Sequence, residues 1–117
     1  MAAHNEFGKQ GEEEAIRYLQ AAGYQVLECN YRYQHAEIDL IAQKGKLLVF
    51  VEVKARSSTA YGNPEEFVSY TKVRLLKRVA EHYIFASNWH HDVRFDIVAI
   101  VRTGNEMKIK HIEDAFY

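Results

Sequence analysis

Between Asn5 and Ala22 the apolar positions Phe7, Ala15, Ile16, Leu19 and Ala22 recur at three- and four-residue spacing, and Gly23 follows where a helix C′ residue belongs. The pattern predicts a first helix. Its inward stripe takes in positions 12, 15, 16 and 19, which turns Glu12 inward while Glu13 and Glu14 point elsewhere. YQVLECN at 24–30 is rich in β-formers and predicts a strand that can run on through Tyr31 and Tyr33. AEIDLIA and KLLVFVEVK enclose the turn-like QKGK and predict an antiparallel hairpin, and ARSSTAYGNPEE after it reads as a loop. Ser69 or Thr71 can cap a second helix through about Ala86, striped by Val73, Leu76, Ala80 and Tyr83. RFDIVAIV at 94–101 predicts a strand, Thr103-Gly104-Asn105 a turn, and 106–112 a last alternating strand. The order α-β-β-β-α-β-β implies a mixed central β-sheet flanked by helices, an α/β layer architecture.

One stretch conflicts with its own pattern. Leu47 to Val53 reads as a central strand, yet Glu52 and Lys54 stand two residues apart on one face at its end, as Glu37 and Asp39 do on the preceding strand. If a two-residue turn falls at Lys44-Gly45, paired positions sum to 89. Asp39 then faces Phe50, Glu37 faces Glu52, and Asp39 lies diagonal to Glu52 at a Cβ separation of about 7 Å. A three-residue loop with Gly45 at a bulge flips that parity. Burying such charges costs several kcal/mol per ion unless they are paired, hydrogen-bonded or bound to metal. Either Glu52 and Lys54 leave the strand at its solvent-exposed exit as an ion pair, or Asp39 and Glu52 hold a divalent ion between them.

Composition narrows the setting. At 117 residues the chain is the size of a single domain, 1–117. A formal net charge of -1 gives no whole-molecule basic field, so a nucleic-acid partner has to be met by a local patch. Lys72, Arg74, Lys77 and Arg78 on the second helix, with Arg56 near the hairpin end, are the candidates; a solvated helix face is the competing reading. A lone Cys29, no CxxC pair, no bilayer-length apolar run and no signal-like start point to a cytoplasmic protein without a membrane partner. Asp96 lies inside a strand pattern and reads as an ion-pair partner of Arg94 or Arg56. The six His are scattered, with His90-His91 in a loop. Tyr31, Arg32, Tyr33 and Tyr61 suit sheet packing or base stacking.

An acid on a strand, a short hairpin turn and Glu-x-Lys at the end of an apolar strand resemble the PD-(D/E)xK superfamily, the restriction-endonuclease-like fold. Gly8, Glu12, Gly23 and Tyr24 resemble the first-helix pattern of its archaeal Holliday-junction resolvase branch. GEEEAIRYLQAAGY, AEIDLIAQKGKLLVFVEVKARSS, GNPEEFVSYTKVRLLKRVAEHY, RFDIVAI and HIEDAF are similar to the bacterial YraN-type family, whose members carry an endonuclease label, over nearly the whole chain. Two positions depart from the pattern: Ile38 replaces the superfamily's Pro before the first acid, and Ala36 stands where a Gly is expected before Glu37.

The resemblance implies a metal-dependent endonuclease that hydrolyses phosphodiester bonds of DNA, including structured or branched DNA, as a homodimer. Mg²⁺ or Mn²⁺ is then held by Asp39, Glu52 and the Val53 backbone carbonyl, with Glu12 as a further acid. Lys54 orients the attacking water and offsets developing charge. Glu37 and Asp96 stay open as additional site residues. A non-catalytic nucleic-acid-binding module of the same fold is the rival, and a scaffold with neither role is the third.

Overall fold

The computed structural model describes residues 2–57 and 69–116, with side chains from residue 8 onward. The expected placements of Phe7 and Tyr61 lie outside the described side chains. Helix α1 (Ala2–Ala21) leads to β1 (Gln25–Tyr33), β2 (Ala36–Lys44), β3 (Leu47–Arg56), helix α2 (Tyr70–Ser87), β4 (Asp92–Thr103) and β5 (Glu106–Ile112). The strands form one sheet in sequential order, antiparallel except where β3 and β4 run parallel. A parallel pair needs a crossover, and α2 lies within it.

Helix ends follow their local chemistry. Gly23, at φ 95°, lets α1 stop in a Schellman arrangement: its N–H reaches the Gln20 carbonyl at 3.1 Å and the Tyr24 N–H reaches that of Leu19 at 2.9 Å. Lys44 Nζ caps a further carbonyl there, donating to Ala22 O at 2.8 Å. Of the two caps the sequence allows for α2, Ser69 is the one used, its side chain accepting from the Lys72 N–H at 3.1 Å.

Both faces of the sheet are covered. Ala15 and Leu19 of α1 pack with Leu40, Ala42, Val49, Val51, Val98 and Ile100, while Leu76, Val79 and Ala80 of α2 pack with Ile38, Ile41, Leu48, Phe50 and Phe95. The alternation along β3 sends Val49 and Val51 to one helix and Leu48 and Phe50 to the other, as a strand buried on both sides requires. Gly11 allows α1 to sit this close. A Cβ placed there would stand 2.9 Å from the Ala55 Cβ on β3.

The β2–β3 register differs from the expected one. The turn is Gly45-Lys46, with Gly45 at φ 59°, and paired positions sum to 91: Lys44 faces Leu47 and Ile41, not Asp39, faces Phe50. Glu37 accordingly does not face Glu52. Lys44 remains in the strand because its ammonium is committed to the end of α1 and lies 5.1 Å from the Tyr24 ring centroid. A slip of two residues preserves the parity of the faces, so Asp39 moves from diagonal to nearly opposite Glu52.

Candidate functional site

The β2–β3 ladder runs out at Leu40–Val51, and the next step of the same register brings Asp39 against Glu52. There the side chain replaces the ladder, since the Val53 N–H donates to Asp39 Oδ2 at 2.8 Å. The strand is also distorted at this point. Ile38 and Ile41 pack on the α2 side while Leu40 packs on the α1 side, so strict alternation breaks at Asp39. Across from it on β1, between the pairs Cys29–Leu40 and Tyr31–Ile38, Asn30 takes φ 55°. A residue's N–H and C=O leave an extended strand on the same edge, which directs the Val53 carbonyl to the side of the Asp39 carboxylate.

Glu52 is only 4% exposed, yet it carries a charge-bearing group into the α2-side core beside Phe50, Leu76 and Phe116. Two ammonium groups approach one of its oxygens, Lys72 Nζ at 3.1 Å and Lys54 Nζ at 3.8 Å from Oε2. Its other oxygen, Oε1, is buried and has no hydrogen-bond partner among the described residues. Burial, then the Glu52 carboxylate beside it, pushes the Asp39 carboxyl up to about 8 despite the Val53 N–H; Glu12 adds to the rise. A protonated Asp39 is able to donate to Glu52, so the two carboxyls act as a unit at neutral pH. Burial also raises the Glu12 carboxyl, against a hydrogen bond with Asn30, and the charges of Glu37 and Glu52 raise it further. Glu12, Glu37, Asp39 and Glu52 thus share one electrostatic neighbourhood at the end of β3.

These residues fit a hard divalent cation. Mg²⁺ takes oxygen ligands and is satisfied by one or two carboxylates with waters filling the rest. Asp39 and Glu52 are two such carboxylates, and Glu52 Oε1 is a buried acceptor that a cation would satisfy. Among the described residues no group of three or more His, Cys, Asp and Glu side chains is arranged to hold a metal, so the fit rests on this pair and the adjacent carbonyl.

The other expected residues divide. Glu37 pairs at 3.8 Å with Arg32 on the outer part of β1 and β2. Arg56 is exposed and donates to its neighbour's carbonyl, Ala55 O, at 2.9 Å. The cations of α2 do not form one stripe: Arg74 and Arg78 share an exposed face, Lys72 turns to Glu52, and Lys77 lines a cleft of about 450 Å³ with Glu81, Ile84, Val93 and Asp114. The lining of that cleft contains none of Asp39, Glu52 or Lys54. Tyr31 and Tyr33 pack the sheet, with Tyr33 stacked on His82 at 3.9 Å between centroids.

Asp96 is fully buried and does pair with Arg94, through two hydrogen bonds of 2.8 Å. It also accepts from His111 Nε2 at 2.7 Å and from the Asp114 N–H at 3.1 Å. Burial alone would raise its pKa, but these partners outweigh burial and hold it below the ordinary aspartate value. Tyr18 and Tyr24 complete the network through His111 Nδ1 and Arg94. With every oxygen satisfied, Asp96 is an anchor tying β5 and the following turn to β4. His111, Asn30 and the inward turn of Lys72 escaped sequence reasoning. The only available signal was for Lys72, whose position three residues after a Ser cap places it on the first turn of α2.

Comparison with known proteins bears on the same residues. The model of the uncharacterised protein family UPF0102 matches residues 11–100. This chain belongs to that family. UPF0102 proteins of Flavobacterium psychrophilum and Christiangramia forsetii are each 47% identical to it over 117 residues, covering the whole chain and 98% of the relative. One from Thermodesulfovibrio yellowstonii is 47% identical over 115 residues, 98% of this chain and 99% of its own length. Glu12, Asp39, Glu52, Lys54, Lys72 and Asp96 all fall inside the UPF0102 match, whereas His111 and Asp114 lie beyond it. Among the described residues no helix is long and apolar enough to cross a membrane.

Proposed function

We propose that this UPF0102 chain is a cytoplasmic Mg²⁺- or Mn²⁺-dependent deoxyribonuclease of the PD-(D/E)xK type, acting on structured or branched DNA. The observation that carries the reading is the part-buried Asp39 beside the buried Glu52, with Lys54 3.8 Å from Glu52 Oε2 and, among the described residues, no hydrogen-bond partner for Glu52 Oε1. A structural ion pair would need no second carboxyl beside it. Its cost is several kcal/mol unless another group compensates.

A divalent cation at this pair would polarise the phosphate, activate a water and stabilise the leaving oxygen. Asp39, Glu52 and the Val53 carbonyl would hold it, with both carboxyls ionised. The Lys54 ammonium, two residues along the same face as Glu52, orients the attacking water and offsets the charge that builds on the phosphate. Glu12 brings a further carboxylate to the site from α1. Phe50, Leu76 and Phe116 close off the space behind Glu52 and lower the local dielectric. Arg74 and Arg78 on the outer face of α2 are available to backbone phosphates.

Cleavage of linear, flapped and four-way DNA in Mg²⁺ or Mn²⁺ tests the proposal. Lys54→Ala and Asp39→Asn are expected to lower the rate by about 10²-fold or more. Unchanged rates in both variants would overturn the assignment. Salt-dependent binding without cleavage by the wild type would favour the non-catalytic module. Sedimentation velocity on the same preparation reads whether a homodimer is the active form.

A further inference from the structure

Lys72 is not explained by a DNA-contact role alone. It sits on the first turn of α2, where the Ser69 cap fixes its backbone N–H at 3.1 Å, and its ammonium reaches back 3.1 Å to Glu52 Oε2. That is closer than Lys54, the expected catalytic lysine, which stands at 3.8 Å. The two also differ in freedom: the Lys72 side chain is 42% exposed and that of Lys54 is 18% exposed. Lys72 can therefore leave Glu52 for solvent by side-chain rotation, whereas Lys54 is held in the strand.

Glu52 Oε2 already faces two ammonium groups, at 3.1 and 3.8 Å. A divalent cation held by Glu52 would bring further positive charge beside both, and the repulsion falls on the group free to move.

We infer that Lys72 is a resident counter-cation that occupies Glu52 in the metal-free protein, is displaced when a divalent ion binds, and then serves a substrate phosphate. This rests on the metal-dependent reading of the site and adds to it a link between ion loading and phosphate recognition. The displaced ammonium stays within a side chain's length of Glu52, on the helix end facing the site, where it meets a backbone phosphate as a point charge. Lys54 and Lys72 thus have separate tasks: one stays with the reacting atoms, and the other positions the substrate.

The test is calorimetric titration of the full chain with Mn²⁺, in the absence of DNA, on wild type, Lys72→Gln, Lys72→Arg and Glu52→Gln. Removing a half-exposed competing cation is expected to tighten Mn²⁺ binding by roughly three- to fivefold in Lys72→Gln. Lys72→Arg keeps the charge and is expected to retain wild-type affinity, a distinction that a structural role at the helix start would not produce. In Ca²⁺, Lys72→Gln is expected to bind duplex DNA more weakly, with a salt slope lower by about one. Unchanged or weaker Mn²⁺ affinity in Lys72→Gln, with binding lost in Glu52→Gln, would overturn the Lys72 role and leave the metal reading standing. Absence of Mn²⁺ binding in all four proteins would overturn both.

Discussion

At the scale of single residues, the candidate site sets two carboxyls, Asp39 and Glu52, side by side at the end of β3. Asp39 holds its proton up to about pH 8, because burial and the neighbouring Glu52 both penalise its ionised form. The consequence for stability has a definite sign. An unfolded chain loses this proton near the ordinary value of 3.8, the folded one near 8, so the fold binds an extra proton in between. Its contribution is complete below the lower value and is lost as pH rises towards the upper one. Metal-free wild type is expected to lose stability across that window relative to Asp39→Asn, by at most about 1.4 kcal/mol per pH unit. Urea unfolding of both proteins across the window measures it, and parallel profiles would show that Asp39 is not the titrating group. Asp96 works in the opposite direction. Its depressed pKa stabilises the fold above the ordinary aspartate value and is lost only as pH falls below it, so the two acids do not share a window.

At the scale of elements, the site exists because a helix and a hairpin end meet. Gly11 sets the distance between α1 and β3, and Glu12 is the next residue along. A glycine inside a helix ordinarily costs about 0.5–1 kcal/mol relative to alanine, so alanine would be favoured here if space allowed. Space does not allow it, since the added Cβ would meet that of Ala55 at 2.9 Å. Gly11→Ala is expected to destabilise by about 1–3 kcal/mol through overpacking, and Ala55→Gly in the same chain to recover most of the loss. Thermal denaturation of the two single variants and the double variant checks this; simple additivity would mean that the contact does not set the spacing. The elements were largely legible in the sequence, since Gly23, Ser69 and the alternation at 106–112 are strong local signals. The β2–β3 register was not legible even in its parity: Gly45 marks the turn, but a two-residue turn and a three-residue loop there imply opposite parities, and nothing local says that Lys44 is held by the end of α1. The β1–β2 turn at Gln34-His35, with Gln34 at φ 56°, carries none of the usual Gly or Asn chemistry and gave no warning.

At the scale of the whole molecule, the five strands lie in sequential order and the parallel β3–β4 pair occupies the covered centre, with a core against each helix. This layout permits a charged strand end. The apolar length of β3 holds the sheet together, and its last residues emerge where β2 departs and the first turn of α2 arrives. Glu52 and Lys54 were readable as sharing a face because they lie two residues apart on one strand, whereas Asp39 joined them only if the turn set the right parity. Lys72 was not, because its approach to Glu52 depends on how the crossover returns α2 to the sheet. His111 was not either, because its hydrogen-bond partners Tyr18 and Asp96 come from α1 and β4, far from it in sequence. The most direct test of the central claim is anomalous scattering from crystals of the full chain soaked in Mn²⁺. The account predicts a manganese peak bounded by the Asp39 and Glu52 carboxylates, with the Lys72 ammonium withdrawn from Glu52. Clear density for a Lys72–Glu52 ion pair with no manganese between Asp39 and Glu52 at saturating Mn²⁺ would contradict it.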